Sequence, residues 1–239
     1  MKSLAKIVAM GLVMSSVPVM GAWAENLVVT ERSQWDWVDP GYTYNAYSPI
    51  HHKNNDYEDV TIFMNGNEQK DTDNKNKPFN ALINEYAQYH FSATGNVYIK
   101  DSCSSTKSTN AVYTYFGDDE HPNIDFRGAE KVVIIANALK DGYGSQAISA
   151  KKGGNIAIAT QETGYTKIIG DIDLYHWRGA GTVSVDLNNK DSYWYGNETN
   201  LFDSGKLNLS IRNGAEWIYT TGEKTYSFDR KNYTTGKSI

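Results

Sequence analysis

Apolar and polar residues alternate in short runs along the chain from about Gly95 onward. The runs are separated by Gly, Asn and Asp, and they read NVYIK, KVVIIAN, QAISA, NIAIA, TKIIGDIDLY, TVSVDL, KLNLSI and EWIYT. In TVSVDL, Val183, Val185 and Leu187 share one side, because successive side chains of a strand point to opposite faces. The pattern predicts many short β-strands joined by tight turns.

Two of these segments, GTVSVDLNNKDSYWYGNET and GKLNLSIRNGAEWIYTTGE, repeat one another. The interval from Val183 to Leu207 is the same as the interval from Val132 to Ile156. A period of this size is typical of solenoids, in which each repeat is one supersecondary unit stacked on the previous one. We therefore predict an all-β fold, a right-handed parallel β-helix.

Stacking places equivalent apolar residues of successive coils over one another. The expected ladder pairs are Val183 over Leu207, Val185 over Leu209 and Leu187 over Ile211. Asn189 and Asn213 follow these strands at tight corners, where Asn tolerates the left-handed region better than most side chains. Trp194 and Trp217 occupy equivalent positions, and we expect them mainly to pack beside a corner.

The residues before the coils are less regular, and we assign residues 25–94 to an irregular N-terminal cap and residues 95–239 to the coils. NGNEQKDTDNKNKPFN is predicted to be a loop, whereas Leu82, Tyr86 and Tyr89 in PFNALINEYAQYHF could share one face of a helix. Trp35 and Trp37 are expected to shield the first coil, since solenoids need terminal caps.

The segment 1–24 has the pattern of a signal peptide. Lys2 and Lys6 precede the apolar run IVAMGLVMSSVPVM, and Ala22 and Ala24 then form an A-x-A cleavage pattern. The apolar run is shorter than the roughly 20 residues that a spanning helix needs. We therefore predict export through the inner membrane.

The remaining residues, 25–239, contain 21 Lys and Arg against 28 Asp and Glu, a net charge of −7. An acidic chain of this kind argues against a nucleic-acid partner. The lone Cys103 cannot form an intramolecular disulfide, so covalent cross-links do not hold the fold together.

The segments IIGDID, GTVSVDLNNKDSYWYG and GKLNLSIRNGAEW resemble the pertactin-like passenger regions of autotransporters of Gram-negative bacteria. The resemblance covers about residues 131–220. It implies a passenger that is secreted or exposed at the cell surface, carried through the outer membrane by a C-terminal β-barrel, and often active in adhesion. Periplasmic retention is the other location that export allows.

The sequence ends at YTTGKSI, without the long amphipathic strands of such a barrel. We therefore expect a passenger fragment that is truncated or split from its barrel. A β-helix that ends at this point is also expected to leave the edges of its last coil unpaired, a state that natural proteins usually cover.

Parallel β-helices also include polysaccharide lyases and hydrolases, so the acidic residues are a candidate catalytic set. Asp171 and Asp173 share one side of a strand, Asp186 could follow one coil later, and Arg178 is near in sequence. Outward carboxylates are, however, ordinary on an acidic protein. We therefore expect no enzymatic activity. The histidines are scattered, so we expect no metal site, and nothing in the sequence calls for a cofactor. A secreted or periplasmic polysaccharide-cleaving enzyme and a remnant without activity are the alternatives.

Aromatic residues give the sequence its candidate binding site. Tyr193, Tyr195, Trp194 and Trp217 lie on neighbouring coils, where exposed rings could stack on a glycan or contact a host surface protein. Exposed apolar patches usually mark interaction sites. The sequence therefore favours an adhesin or another surface-interaction module.

Overall fold

We describe a computed structural model of the chain. The residues that it describes are 25–31, 34, 36–38, 46–48, 50–51, 55–64, 80–85, 89–102, 110–117, 121–136, 146–174, 179, 181–199, 205–221, 224–228 and 232–235. The predictions for residues 1–24, for the loop at residues 65–79, for Tyr86, Cys103 and Arg178, and for the side chains of Trp35 and Trp37, lie outside the described part of the chain.

The described residues form β-strands and no α-helix. In chain order the strands are β1 (Glu25–Val29), β2 (Asp36–Val38), β3 (Ala46–Ser48), β4 (Ile50–His51), β5 (Asn55–Met64), β6 (Asn80–Glu85), β7 (Phe91–Ala93), β8 (Asn96–Asp101), β9 (Asn110–Tyr115), β10 (Ile124–Arg127) and β11 (Lys131–Ala136). They continue as β12 (Gln146–Lys151), β13 (Asn155–Ala159), β14 (Tyr165–Ile169), β15 (Asp171–Asp173), β16 (Thr182–Leu187), β17 (Tyr193–Tyr195), β18 (Glu198–Thr199), β19 (Lys206–Ile211), β20 (Glu216–Thr221), β21 (Lys224–Phe228) and β22 (Asn232–Thr235).

The strands stack into three faces. The long strand β5 pairs with β7 through its first residues and with β8 through its last ones. From β5, face 1 continues through β7, β10, β13, β16 and β19, and face 2 through β8, β11, β14, β17 and β20. Face 3 is a separate sheet of β4, β6, β9, β12, β15 and β18. From β7 to β18 the chain visits the three faces in turn, and the strands within each face are parallel. This is a parallel β-helix, as the sequence predicts.

The interior is built from apolar ladders that run along the stack. In β16 and β19, Val183 pairs with Leu207, Val185 with Leu209 and Leu187 with Ile211, which are the three predicted pairs. All six side chains are buried. Burying an aliphatic side chain stabilises a fold by roughly 1.5–3 kcal/mol, so the ladders supply the main driving force for stacking.

The coils become shorter toward the C-terminus, as the sequence intervals between paired residues of successive coils show. Val132 pairs with Thr166, Ile156 with Val183, and Val183 with Leu207, so each interval is shorter than the one before. Val132 lies on face 2 and Ile156 on face 1, and the two do not pair. The repeat assigned to Val132 and Ile156 is therefore wrong, because their spacing joins two different faces.

Residues 80–85 form strand β6, so the helix predicted in this segment is wrong there. The four side chains from Ala81 to Asn84 are all buried, which removes the alternation that would have marked a strand. Strands β4 to β7 take part in the faces. The described coils therefore extend N-terminal of residue 95, into the region assigned to an irregular cap of residues 25–94.

Both ends of the described stack carry an additional strand. At the first coil, β1 pairs in parallel with β5. At the last coil, β22 pairs antiparallel with β19, and β21 pairs antiparallel with β20. The expectation that the last coil leaves its edges unpaired is therefore wrong for faces 1 and 2, because the chain turns back and covers β19 and β20. β21 and β22 thereby become the outermost strands of this sheet.

The two asparagine corners use different local chemistry. Asn213 lies in the left-handed region with φ 56°, as expected for Asn at a tight turn. Asn189 instead accepts hydrogen bonds at Oδ1 from the Asp191 N–H (3.0 Å) and the Ser192 hydroxyl (3.1 Å). These hydrogen bonds accommodate a turn at Asn189 that is longer than the turn at Asn213. The interval from Trp194 to Trp217 is therefore shorter than the interval between ladder partners such as Val183 and Leu207.

Candidate binding surface

Trp194 and Trp217 lie in the interior of the β-helix. Their exposed fractions are 0% and 6%. The Trp194 indole N–H donates to the carbonyl oxygen of Gly170 (2.9 Å), and that of Trp217 donates to the carbonyl oxygen of Gly196 (3.1 Å). Both rings therefore pack beside corners, as their sequence positions indicated, and neither is available to contact a ligand.

Tyr193 and Tyr195 flank Trp194 on β17 and point outward, since side chains alternate along a strand. Tyr195 is 47% exposed, and Tyr193 is half-buried. The large apolar side chains that are exposed in the described structure are Val28, Tyr98 and Tyr195. All of them lie on face 2, because Val28 is in register with Thr61 of β5, and Thr61 with Tyr98. Face 2 is therefore distinct from the other two faces.

Lysines lie among the outward tyrosines of face 2. In register across neighbouring strands, Lys131 pairs with Tyr165, and Lys167 pairs with Tyr193. We define the tyrosine–lysine surface as the outward rings and ammonium groups on β8, β11, β14 and β17: Tyr98, Lys100, Lys131, Tyr165, Lys167, Tyr193 and Tyr195. Half-buried aliphatic side chains, such as Val133, Ile135 and Ile169, fill the positions between them.

The ammonium groups of this surface lie close to aromatic rings. Lys167 Nζ is 4.5 Å from the ring centroid of Tyr165 and 5.7 Å from that of Tyr193. Lys131 Nζ is 5.9 Å from the Tyr165 centroid. At these distances the negative ring face attracts the cation, which holds the charges and rings in one layer.

Carboxylates are missing from the same outward positions. Along β8, β11, β14 and β17, all of which the structure describes, the one acidic residue is Asp101, and it is buried. None of Lys100, Lys131 and Lys167 forms an ion pair within the described part of the chain. The centre of face 2 is therefore positively charged, whereas the exposed Glu216 of β20, the partner of Tyr193, places a carboxylate at its C-terminal end.

The lysines have no sequence signal of their own. Lys100, Lys131 and Lys167 recur at unequal intervals, because the earlier coils are long and differ in length. Only the strand register brings them onto adjacent strands, which lie about 4.8 Å apart. Along the strands they are offset, since Lys100 is in register with Ile135 and Lys167 with Val133. A search for a fixed period finds the tyrosines of the short coils and misses these residues.

The carboxylates that could have formed a catalytic set are separated by the fold. Asp171 and Asp173 lie on β15 of face 3, whereas Asp186 lies on β16 of face 1. Asp173 is 3% exposed and forms an ion pair with Lys151, Nζ to Oδ2 3.0 Å. Asp186 is held by Arg212. The three residues therefore do not form a single row along the stack.

Asp171 has the most altered environment of this set. Burial raises the pKa of its carboxyl group, a hydrogen bond from the Asn197 N–H (2.8 Å) lowers it, and repulsion from Asp173 raises it further. A raised carboxyl pKa also occurs in general acids. The neighbouring Asp173 is buried and ion-paired with Lys151, so the two carboxyl groups do not provide the acid and the solvent-facing base or nucleophile of a glycosidase pair.

Face 1 has a shallow depression of about 460 Å³ in its outer surface. Its floor is made of the small residues Ala157, Ala159 and Ser184, and Arg127 and Arg212 lie beside it. Each guanidinium is held by a carboxylate, Arg127 by Asp125 (Nη2 to Oδ2 2.6 Å) and Arg212 by Asp186. The positive charges are therefore neutralised locally, in contrast to those on face 2.

Among the residues that the structure describes, no group of three or more His, Cys, Asp or Glu side chains could hold a metal ion. Within the same residues no helix has the length and hydrophobicity needed to cross a membrane.

Comparison with family models, with curated proteins and with solved structures finds no match to this chain.

Proposed function

We propose that the protein is an exported, non-enzymatic binding module that acts as an adhesin, with face 2 as its contact surface. The observation that carries this proposal is the tyrosine–lysine surface. It gathers Tyr98 and Tyr195, two of the exposed large apolar side chains of the described structure, on one face of a rigid stack. Tyrosine is enriched at binding surfaces because its ring gives apolar area and its hydroxyl a hydrogen bond.

The parallel β-helix supports this role physically. Each strand is fixed by parallel neighbours on both sides, so the side chains of face 2 are presented on a rigid sheet and not on loops. Preorganised contact residues lose little conformational entropy on binding. A flat array of this kind suits a partner that is itself extended.

The placement of the protein at the cell surface, as an autotransporter passenger, is part of the same proposal. It rests on the signal-peptide pattern of residues 1–24 and on the resemblance of residues 131–220 to pertactin-like passengers. A periplasmic location is the alternative. Protease accessibility of the protein on intact cells distinguishes the two, because only a surface-exposed chain is cleaved without permeabilisation.

A binding panel tests the contact surface. The full chain is applied to immobilised polysaccharides, glycoproteins and extracellular matrix proteins. It is compared with the variant Tyr193→Ser/Tyr195→Ser and with the face-1 control Ser184→Ala/Asn208→Ser. Hot-spot aromatic residues contribute more than about 1 kcal/mol each, so the tyrosine variant is expected to bind at least about tenfold more weakly. The control lies at outward positions of β16 and β19 and is expected to bind normally.

Circular dichroism verifies that both variants are folded. Equal binding by the tyrosine variant and the native chain would place the contact surface elsewhere. Release of reducing sugar or of unsaturated products from the polysaccharides of the panel would show an enzyme instead. In that case the loss of turnover in Asp171→Asn would identify the responsible site.

A further inference from the structure

The tyrosine–lysine surface carries charge of one sign, which restricts the chemistry of its ligand. We propose that it binds an acidic polysaccharide, a sugar polymer that bears carboxylate or sulfate groups along its length. This inference rests on the proposed function, since it names the ligand class of the same face.

Charge complementarity is the first reason. Lys100, Lys131 and Lys167 lie on three adjacent strands, and none has a carboxylate partner in the described structure. On face 1, by contrast, the described cations include two that are paired: Arg127 with Asp125, and Arg212 with Asp186. Ammonium groups act as compact point charges with rotatable donors, so they adapt to anions whose positions vary along a polymer.

The rings supply contacts of a second kind. Tyr98 and Tyr195 are 37% and 47% exposed, and they lie on β8 and β17, three strand spacings apart. This separation is about 14 Å along the stack. Exposed aromatic faces can stack on the C–H faces of sugar rings, and phenol hydroxyl groups hydrogen-bond to sugar hydroxyl groups. Rings and cations together thus match a short stretch of a charged glycan chain.

The form of the surface disfavours a lipid bilayer. Insertion into the membrane interface requires apolar side chains that project beyond the polar ones. The aliphatic side chains Val133, Ile135 and Ile169 are half-buried between the lysines and tyrosines of neighbouring strands. Lys167 and Tyr193 are likewise half-buried, so the aliphatic side chains do not project beyond the polar ones. An extended polymer can lie across such a flat surface and still contact the ammonium groups.

Matched polymers test the charge requirement directly. The full chain is titrated with dextran sulfate and with unmodified dextran, which differ only in their sulfate groups, and with polygalacturonate and its carboxyl-reduced form. We expect binding to both acidic polymers and none to the two neutral ones. We also expect the affinity to fall when the salt concentration rises from about 50 to about 500 mM, since the Debye length shrinks from roughly 14 to roughly 4 Å.

Lysine variants locate the site. Lys131→Gln and Lys167→Gln are each expected to weaken binding of dextran sulfate by about two- to fivefold, the range for exposed ion pairs. Lys131→Arg keeps the charge and is expected to bind normally. Lys206→Gln removes an exposed charge from β19 of face 1 and serves as the matched control. It is expected to leave the affinity unchanged.

Several results would overturn the ligand class. Equal binding of neutral and acidic polymers, or equal loss in Lys206→Gln and Lys167→Gln, would show that the lysines of face 2 do not select the ligand. Tighter binding to vesicles that contain anionic lipid would assign the face to a membrane. Tyrosine-dependent binding to proteins of the panel alone would reject a polysaccharide and leave the proposed function standing. Binding to nothing in the panel would reject both.

Discussion

The indole rings of Trp194 and Trp217 lie parallel, with their centroids 4.6 Å apart and their planes 4° apart. They are Cα partners on β17 and β20, so the spacing between parallel strands, about 4.8 Å, sets the distance between the rings. Each indole N–H also donates to a corner glycine of the coil before it. The pair therefore joins the last coils through stacking and through two hydrogen bonds.

Removing one ring of this pair is expected to destabilise the last coils strongly. Trp217→Ala should lower the free energy of unfolding by about 3–5 kcal/mol, because it leaves a cavity beside Trp194 and an unpaired Gly196 carbonyl. Trp217→Phe should cost less, since it keeps most of the ring volume. Urea unfolding followed by circular dichroism measures both. Tyr195→Ala, on the exposed side of the same sheet, is the control and should change stability little.

The ion pair between Lys151 and Asp173 gives a second prediction. Both side chains are largely buried, with exposed fractions of 12% and 4%. Lys151→Met removes the cation that neutralises the buried Asp173 carboxylate and should cost about 3–5 kcal/mol. The double variant Lys151→Met/Asp173→Leu should recover most of this loss. If the double variant were as unstable as Lys151→Met, loss of the ion pair would not be the source of the destabilisation. Thermal and urea unfolding of the three proteins provide the comparison.

Glu198 predicts a pH dependence of stability. It is the Cα partner of Ile172, which is in register with Ile148, so a carboxyl group stands where two earlier coils have isoleucine. Its Oε2 atom is buried and has no hydrogen-bond partner in the described structure. Burial raises the pKa of Glu198 above its ordinary value of 4.5.

A carboxyl group with a raised folded-state pKa stabilises the fold in its protonated form. The contribution of Glu198 is therefore complete below pH 4.5 and is lost as the pH rises through the raised value. Glu198→Gln should remove this part of the pH dependence, and Glu198→Ile should raise stability at neutral pH by extending the apolar row. Glu216→Gln, at an exposed position, is the control. Unfolding midpoints measured from acidic to mildly alkaline pH give the difference; identical pH profiles for Glu198→Gln and the native chain would contradict the assignment.

The Asn213 corner predicts a graded response to substitution. Because its φ of 56° lies in the left-handed region, Asn213→Gly should be tolerated, whereas Asn213→Val should cost at least about 1–2 kcal/mol. The same change at Asn189 should act through the lost hydrogen bonds to Asp191 and Ser192. Equal unfolding midpoints for Asn213→Gly and Asn213→Val would exclude backbone strain as the reason for Asn at this corner.

The sequence was most informative where coils are short and one side of the strand is exposed. There, alternation and the recurrence of one pattern predicted the ladder from Val183 to Leu207 and the parallel β-helix. It failed where both sides of a strand are buried, as in β6, since burial on both sides removes the alternation. It failed again for Val132 and Ile156, because unequal coil lengths allow one spacing to join two faces.

Only part of the candidate site was predicted, because only part of it lies in short, regular coils. Tyr193 and Tyr195 lie in a short, regular coil, and the structure places them outward as the alternation implies. Trp194 lies on the opposite side of the same strand and is buried, as is its partner Trp217 on β20. Lys131 comes from a long coil and reaches the tyrosines only through the register of the sheet.

The most direct test of the central claim, that face 2 is the contact surface, is to block one face at a time. In a Cys103→Ser background, a bulky maleimide is attached to Tyr195→Cys on face 2 or to Asn208→Cys on face 1, and binding to the best-bound member of the panel is measured. Both positions are exposed, so both should be labelled fully. The account predicts that the adduct at position 195 abolishes binding and that the adduct at position 208 has no effect. Binding that survives the adduct at 195, or is lost with the adduct at 208, would contradict it.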